Sequence, residues 1–256
     1  MEGKVIAAAQ EERFTRKKHD ARFPQNAINY VLKEANLLLD QVDHVVFYEK
    51  PFLKFERILE SYFRTAPFGL KSFVKSMPTW FSEKLFIKQK ITKQLRKLDK
   101  TNKKDIVILF PEHHLSHSAS AFFTSPFETS AILTIDGVGE WSTTSYGYAK
   151  NNSIKITNDI RWPHSLGLFY SAFTYFLGFK VNEGEYKLMG LSSYGKPKYY
   201  DLIIENLIDV KDDGSIHLNM EYFAFTYDKV MTSKKFSKLF GIEAKTRDEK
   251  TLQIHF

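Results

Sequence analysis

Residues 131–160 read AILTIDGVGEWSTTSYGYAKNNSIKITNDI. Three β-forming runs lie in this stretch: Ala131–Ile135, Thr143–Ala149 and Ile154–Ile160. Branched and aromatic side chains suit a pleated surface, and Asn151-Asn152 between the last two runs is a turn signal. The stretch therefore predicts an antiparallel meander. Its first strand ends in Asp136-Gly137, with Val138 and Gly139 following. A carboxylate at a strand end, followed by a glycine-rich turn, can present backbone N–H groups to a phosphate or a metal. Asp-Gly is equally a plain hairpin-turn signal, so the turn alone leaves both readings open.

Working outward, Ile106–Phe110 (IVILF) is a continuous apolar run of the kind found inside a parallel or mixed sheet. His44–Tyr48 (HVVFY) is a second short buried strand. Helical stretches are predicted from Pro24 to about Leu39, over 52–65 and 79–98 with a break at Pro67, Gly69 and Pro78, over Leu115–Phe123, over Leu168–Leu177 and over 199–208. Lys4–Ala9 (KVIAAA) reads as a strand after a Glu2-Gly3 turn, with the partner that should precede that turn absent from the chain. Residues 10–23 read as a basic loop, Asn182–Gly195 as a glycine-rich loop or short helix, and 214–227 as a small hairpin. Residues 231–256 are polar with weak periodicity. Strands alternating with helices give an α/β class, a mixed sheet with flanking helices. The meander around the Asp-Gly turn is compatible with the actin-like, ribonuclease-H-like group, where hairpin turns hold phosphates, and periodicity alone does not separate that group from other mixed α/β folds.

The chain has 256 residues, 43% of them hydrophobic, enough for a substantial core. It has no cysteine, which excludes disulfides, thiolate metal sites and thiol catalysis. The N-terminus lacks a signal-peptide pattern, and no apolar run is long enough to span a bilayer. A cytoplasmic protein with no membrane partner is expected. The net charge of +7 is local. Residues 84–104 hold nine basic residues and one acid, Asp99, so the remainder is nearly neutral. Phe86, Ile87, Ile91, Leu95 and Leu98 fall at helical spacing among these lysines. That pattern is either a basic module for nucleic acid or acidic lipid, or a solvated helix face packed on a core.

Four windows carry chemistry. In Pro111–Ala121 (PEHHLSHSASA), His113 and His117 share a helix face and could offer two imidazole nitrogens to one cation; a histidine-bearing helix start without ligand is the plainer reading. Asp136 with the Gly137–Gly139 turn is the second window. With imidazole, and without cysteine, it suits iron, zinc or manganese rather than calcium. The third is Asn182–Gly195, where Lys187 is a candidate phosphate partner and the glycines allow close approach. The fourth is Glu11–Asp20, where Arg13, Arg16, Lys17, Lys18 and His19 suit an anionic ligand or simply face water.

The windows AAAQEERFTRKKHDARFP, PEHHLSHSASAFFTSPF, ILTIDGVGEWSTTSYG and SLGLFYSAFTYFLGF with EGEYKLMGLSSYGKP, in this order, resemble the carbamoyltransferase family. That family includes the nodulation-factor, cephalosporin and tobramycin O-carbamoyltransferases. The resemblance covers nearly the whole chain and is weakest over residues 50–104. It implies the N-terminal, actin-like ATPase domain of such an enzyme, with a basic helical insertion at 66–104. It implies a metal, typically iron, on His113, His117 and Asp136. It implies carbamoyl adenylate, made from carbamoyl phosphate and ATP in a separate C-terminal domain, as donor to a hydroxyl-bearing acceptor. Asp136, Gly137, Val138, Gly139, Lys187 and Gly190 would then hold nucleotide or phosphate, and Lys17 would line the acceptor or nucleotide cleft. Family members also have a strand before the position of Gly3 and continue well past Phe256. The resemblance thus implies a piece that is inactive alone, with a separately encoded C-terminal half as one partner and no nucleic acid.

Overall fold

A computed structural model describes residues 3–79, 86–100 and 105–245. Helix α1 (Glu11–Thr15) and helix α2 (Gln25–Glu34) come first. The Glu11 carboxylate accepts the Ala27 N–H at 2.9 Å and the Asn26 amide at 2.7 Å, so a residue of the predicted basic loop caps α2. Strand β1 (His44–Val46) is followed by helices α3 (Pro51–Thr65), α4 (Leu70–Thr79) and α5 (Ile87–Leu98). Strand β2 (Val107–Leu109) then pairs parallel to β1, with His44 opposite Val107. The helices between them form the crossover that a parallel pair requires. Helix α6 (His113–Phe122) follows, then the meander β3 (Thr129–Ile135), β4 (Ser142–Lys150) and β5 (Ser153–Arg161). Helices α7 (Leu166–Phe176), α8 (Glu185–Ser192) and α9 (Tyr200–Asn206) lead to the hairpin β6 (Ile208–Val210) and β7 (Ile216–Leu218), and α10 (Lys234–Phe240) is the last helix of the described residues.

The architecture is α/β, but the expected single mixed sheet is replaced by three separate sheets among the described residues. With only three residues each, β1 and β2 offer little ladder to a further strand. The meander stands where the sequence puts it, with Asn151 at φ 53° in its turn. Residues 4–9 are not a strand: no described strand runs beside them, and Val5 and Ile6 are exposed. Helix α2 stops short of Leu39, at Glu34, and a 3-10 turn spans Leu39–Gln41. The break between α3 and α4 lies at residues 66–69, and Pro78 is within α4 rather than at a boundary. The hairpin occupies 208–218 rather than 214–227, because Gly214 at φ 80° supplies its turn and not its start.

Three apolar clusters hold these pieces. Phe176 of α7, Leu218 of β7, Phe223 and Phe236 of α10 build the largest one. Ile91 and Leu95 of α5 pack with Leu39 and Ile108 in the second. The apolar stripe of the lysine-rich segment is therefore core, while Phe86 and Lys88, Lys90, Lys93 and Lys97 stay exposed. Lys84, Lys103 and Lys104 lie outside the described residues. Phe122, Ile132 and Ala149 seat α6 on the meander. No helix among the described residues is long and apolar enough to cross a membrane.

A candidate metal centre at the start of the meander

The site forms where the N-terminal turn of α6 meets the end of β3. His113 Nε2 lies 2.9 Å from Asp136 Oδ2 and 3.0 Å from His117 Nε2; His117 Nε2 lies 3.8 Å from Asp136 Oδ2. Among the described residues these three are the His, Asp and Glu side chains whose donor atoms converge as a metal would need. Ligand bonds of about 2.0–2.2 Å place adjacent donors roughly 3 Å apart, so the cluster fits a divalent ion. Asp136 is held down to about 2, first by its hydrogen bond with His113, with the Gly137 N–H also contributing. It is thus a carboxylate at neutral pH, the form that binds a metal.

Two carboxylates lie buried behind the histidines. Glu140 accepts the His113 N–H at 3.1 Å and the Lys50 N–H at 2.7 Å, which fixes the start of α6 to the end of the β1 segment. Glu49 pairs with Lys54 at 2.7 Å and stands 3.8 Å from His113 Nδ1, a buried nitrogen with no hydrogen-bond partner. A carboxylate facing the rear nitrogen of a metal-binding imidazole is a common way to orient the ring. His114 points elsewhere, as its spacing predicts: it is buried, with Nδ1 2.8 Å from Ser145 Oγ, and burial lowers its basicity.

The Asp-Gly turn is clamped from below. The Ser165 hydroxyl caps α7 by accepting the Leu168 N–H at 3.0 Å, and donates to the Gly137 carbonyl at 2.7 Å. Gly167 abuts the Asp136 carbonyl, where a Cβ would come within 2.5 Å. Gly139 lies against His113 and His114, where a Cβ would meet side-chain carbons at 3.1–3.3 Å. These contacts explain Gly139 and Gly167 as close-packing positions around His113 and Asp136. Two of the backbone groups expected to cradle phosphate are in use: the Gly137 N–H donates to Asp136 Oδ1 and the Gly139 N–H to the Ser142 carbonyl.

The other predicted residues lie elsewhere. Lys187 and Gly190 are exposed on α8, and Gly190 has open space around its Cα. Lys17 is exposed in the loop that also carries His19, whose Nε2 lies 3.6 Å from Glu183. The basic window and the glycine-rich window are therefore neighbours. No described contact joins Lys17, Lys187 or Gly190 to Asp136. Glu49, Glu140 and Ser165 join the site in the structure without being among the candidate residues of the four windows. Glu140 is marked in the sequence as the carboxylate just after the Gly137–Gly139 turn, whereas Glu49 carries no local signal.

The family model for the carbamoyltransferase N-terminus matches residues 1–254. The chain is 56% identical to the uncharacterized protein sll1178 of Synechocystis over 94% of its own length and 39% of that protein's. It is 31% identical to the nodulation protein NolNO of Sinorhizobium fredii over 86% of its length and 30% of that protein's. It is 34% identical to the nodulation protein NolO of Bradyrhizobium diazoefficiens over 43% of its length and 20% of that protein's. The chain thus spans well under half the length of these relatives. With its motifs matched from end to end, the chain belongs to the carbamoyltransferase family and represents that family's N-terminal region.

Proposed function

We propose that this chain is the N-terminal part of an O-carbamoyltransferase. The donor is carbamoyl adenylate, formed from carbamoyl phosphate and ATP, and the acceptor is a hydroxyl of a small molecule or glycan. The observation that carries the reading is the convergence of His113, His117 and Asp136 beside a glycine turn. A divalent metal bound there, iron first among the candidates, would supply charge stabilisation at the adenylate phosphate and so favour departure of AMP. The protein's own residues prepare that step. Glu140 fixes the first turn of α6, Glu49 faces the rear of His113, and Ser165 and Gly167 pin the backbone that aims Asp136.

Val138, in the same turn as Gly137 and Gly139, is the next position proposed to meet the nucleotide. Lys187 is the proposed phosphate partner, Gly190 gives access along α8, and Lys17 is the proposed acceptor-side cation. Their exposure and the His19–Glu183 contact support a shared cleft edge. Leu133 and Ile135 are 66% and 52% exposed on β3. A C-terminal half, separately encoded or otherwise supplied, is the proposed partner for that surface.

The test is binding of AMP and of 5′-O-sulfamoyladenosine, a stable mimic of the adenylate, with and without Fe(II). The reading predicts saturable binding that needs the metal and is lost in Asp136→Asn. Binding indifferent to both metal and Asp136, or no binding, would overturn it.

A further inference from the structure

Arg57 of α3 is only 7% exposed. A guanidinium remains charged, and stripping its water costs several kcal/mol unless acceptors replace it. Its Cζ lies 5.0 Å from the centre of the Trp162 ring, so one face is covered. Trp162 is itself held in place, its indole N–H donating to Ser61 Oγ at 2.9 Å. Stacking does nothing for the in-plane N–H groups, and Arg57 Nε is buried with no acceptor. Among the described residues no carboxylate lies within ion-pair distance of Arg57. Glu49 is paired with Lys54, and Glu140 is engaged by the N–H groups of Lys50 and His113. Both act on Arg57 only through space, and burial still pulls the guanidinium down to about 10.

Beside Arg57 lies a cavity of about 190 Å³, lined also by Tyr62, Trp162, Phe225 and Asp228. Tyr62 is stacked on Phe73 at 4.1 Å, which stiffens that wall. None of the lining residues belongs to the His113–His117–Asp136 cluster. We infer that this cavity is a second binding site, for a small ring-bearing molecule that presents one oxyanion, carboxylate or phosphate, to Arg57. The aromatic walls take the ring, and the Nη end of the guanidinium, the part that is not sealed within the protein, takes the anion; the neighbouring Nε–H reports it. Asp228 accepts from a ring hydroxyl and disfavours a second negative charge on the same ligand.

The test follows the Arg57 Nε–H resonance in ¹⁵N-labelled chain, assigned with Arg57→Lys. The probes are phenyl phosphate, 4-hydroxybenzoate, inorganic phosphate and neutral 4-hydroxybenzyl alcohol. The inference predicts a saturable shift of that resonance with a ring anion, and binding about tenfold or more weaker for the neutral alcohol and for inorganic phosphate. The phosphate and carboxylate arms tell which oxyanion is preferred. Where Arg57→Lys folds poorly, the resonance is assigned by ¹³C–¹⁵N correlation along the Arg57 side chain of the unaltered protein, so the result stands. No saturable shift with either ring anion, or equal binding of the neutral alcohol, would overturn the inference and leave Arg57 to bound water.

Discussion

Gly167→Ala is a sensitive probe of how the Asp136 turn is held. The new Cβ would lie 2.5 Å from the Asp136 carbonyl oxygen, 2.7 Å from its carbon and 2.8 Å from the Gly137 nitrogen. All three are backbone atoms, so no side-chain rotation relieves the contact. Ordinary contact requires about 3.5 Å, so the turn and the first turn of α7 must part by roughly 1 Å. Overpacking of this kind costs about 1–3 kcal/mol. Removing a glycine from a helix returns up to about 1 kcal/mol. The net loss is about 0–2 kcal/mol, which is at most roughly 8 °C in Tm for a chain of this size. The second consequence is geometric. Asp136 Oδ2 sits 2.9 Å from His113 Nε2, and metal bonds tolerate only about 0.2 Å of error. A displacement of roughly 1 Å therefore breaks the three-donor set. The assay is thermal unfolding without metal, together with Co(II) absorbance titration. A variant as stable as the parent and with unchanged Co(II) binding would refute the argument that α7 positions Asp136.

Gly190→Ala is the counterpart: with open space around the position, the substitution should leave Tm unchanged or raise stability by about 0.4–1 kcal/mol, and a clear loss would show that α8 is packed there. Glu140→Ala should cost about 2–4 kcal/mol by urea unfolding, since the N–H groups of Lys50 and His113 lose their acceptor, whereas Glu140→Gln keeps one and should cost less; equal costs would argue against this role. His164, lowered by burial and by the neighbouring His217, must stay neutral to accept the Leu218 N–H at 3.1 Å. The unfolded ring takes its proton near the ordinary value of 6.5 and the folded ring only at lower pH. Its contribution is complete above that value and is lost as pH falls below it. The drop in Tm between about pH 7.5 and about pH 5.5 should be smaller in His164→Gln, and an identical drop would dismiss the linkage.

The meander was legible because its strands are long, β-branched and separated by asparagine and Asp-Gly turns. The HxxxH pair was legible because helical spacing alone puts His113 and His117 on one face. The failures share a cause. Residues 4–9 have the composition of a strand, but a strand exists only through a partner ladder, and composition says nothing about the partner. The expectation of a hairpin over 214–227 fails because Gly214 lies in the turn itself: a turn signal does not say on which side the first strand lies. Glu49 reaches His113 across more than sixty residues of chain through the β1–β2 pairing, a relation no local pattern encodes. Gly139 also serves packing, its side-chain-free face lying against His113 and His114, a contact no local pattern encodes. Lysine-rich α5 shows the reverse case, where the plainer of two readings, a solvated face on a buried stripe, matches the packing of Ile91 and Leu95.

In the proposed function His113, His117 and Asp136 together hold one metal ion. The most direct measurement is anaerobic Fe(II) and Zn(II) titration of the chain, with metal content after desalting, for the parent, His117→Ala and Asp136→Asn. His117 is half exposed, so its removal leaves the fold intact by circular dichroism. The account predicts one equivalent bound by the parent and affinity reduced by about tenfold to a hundredfold or more in both variants. A parent that retains no metal, or variants that bind as tightly as the parent, would contradict it.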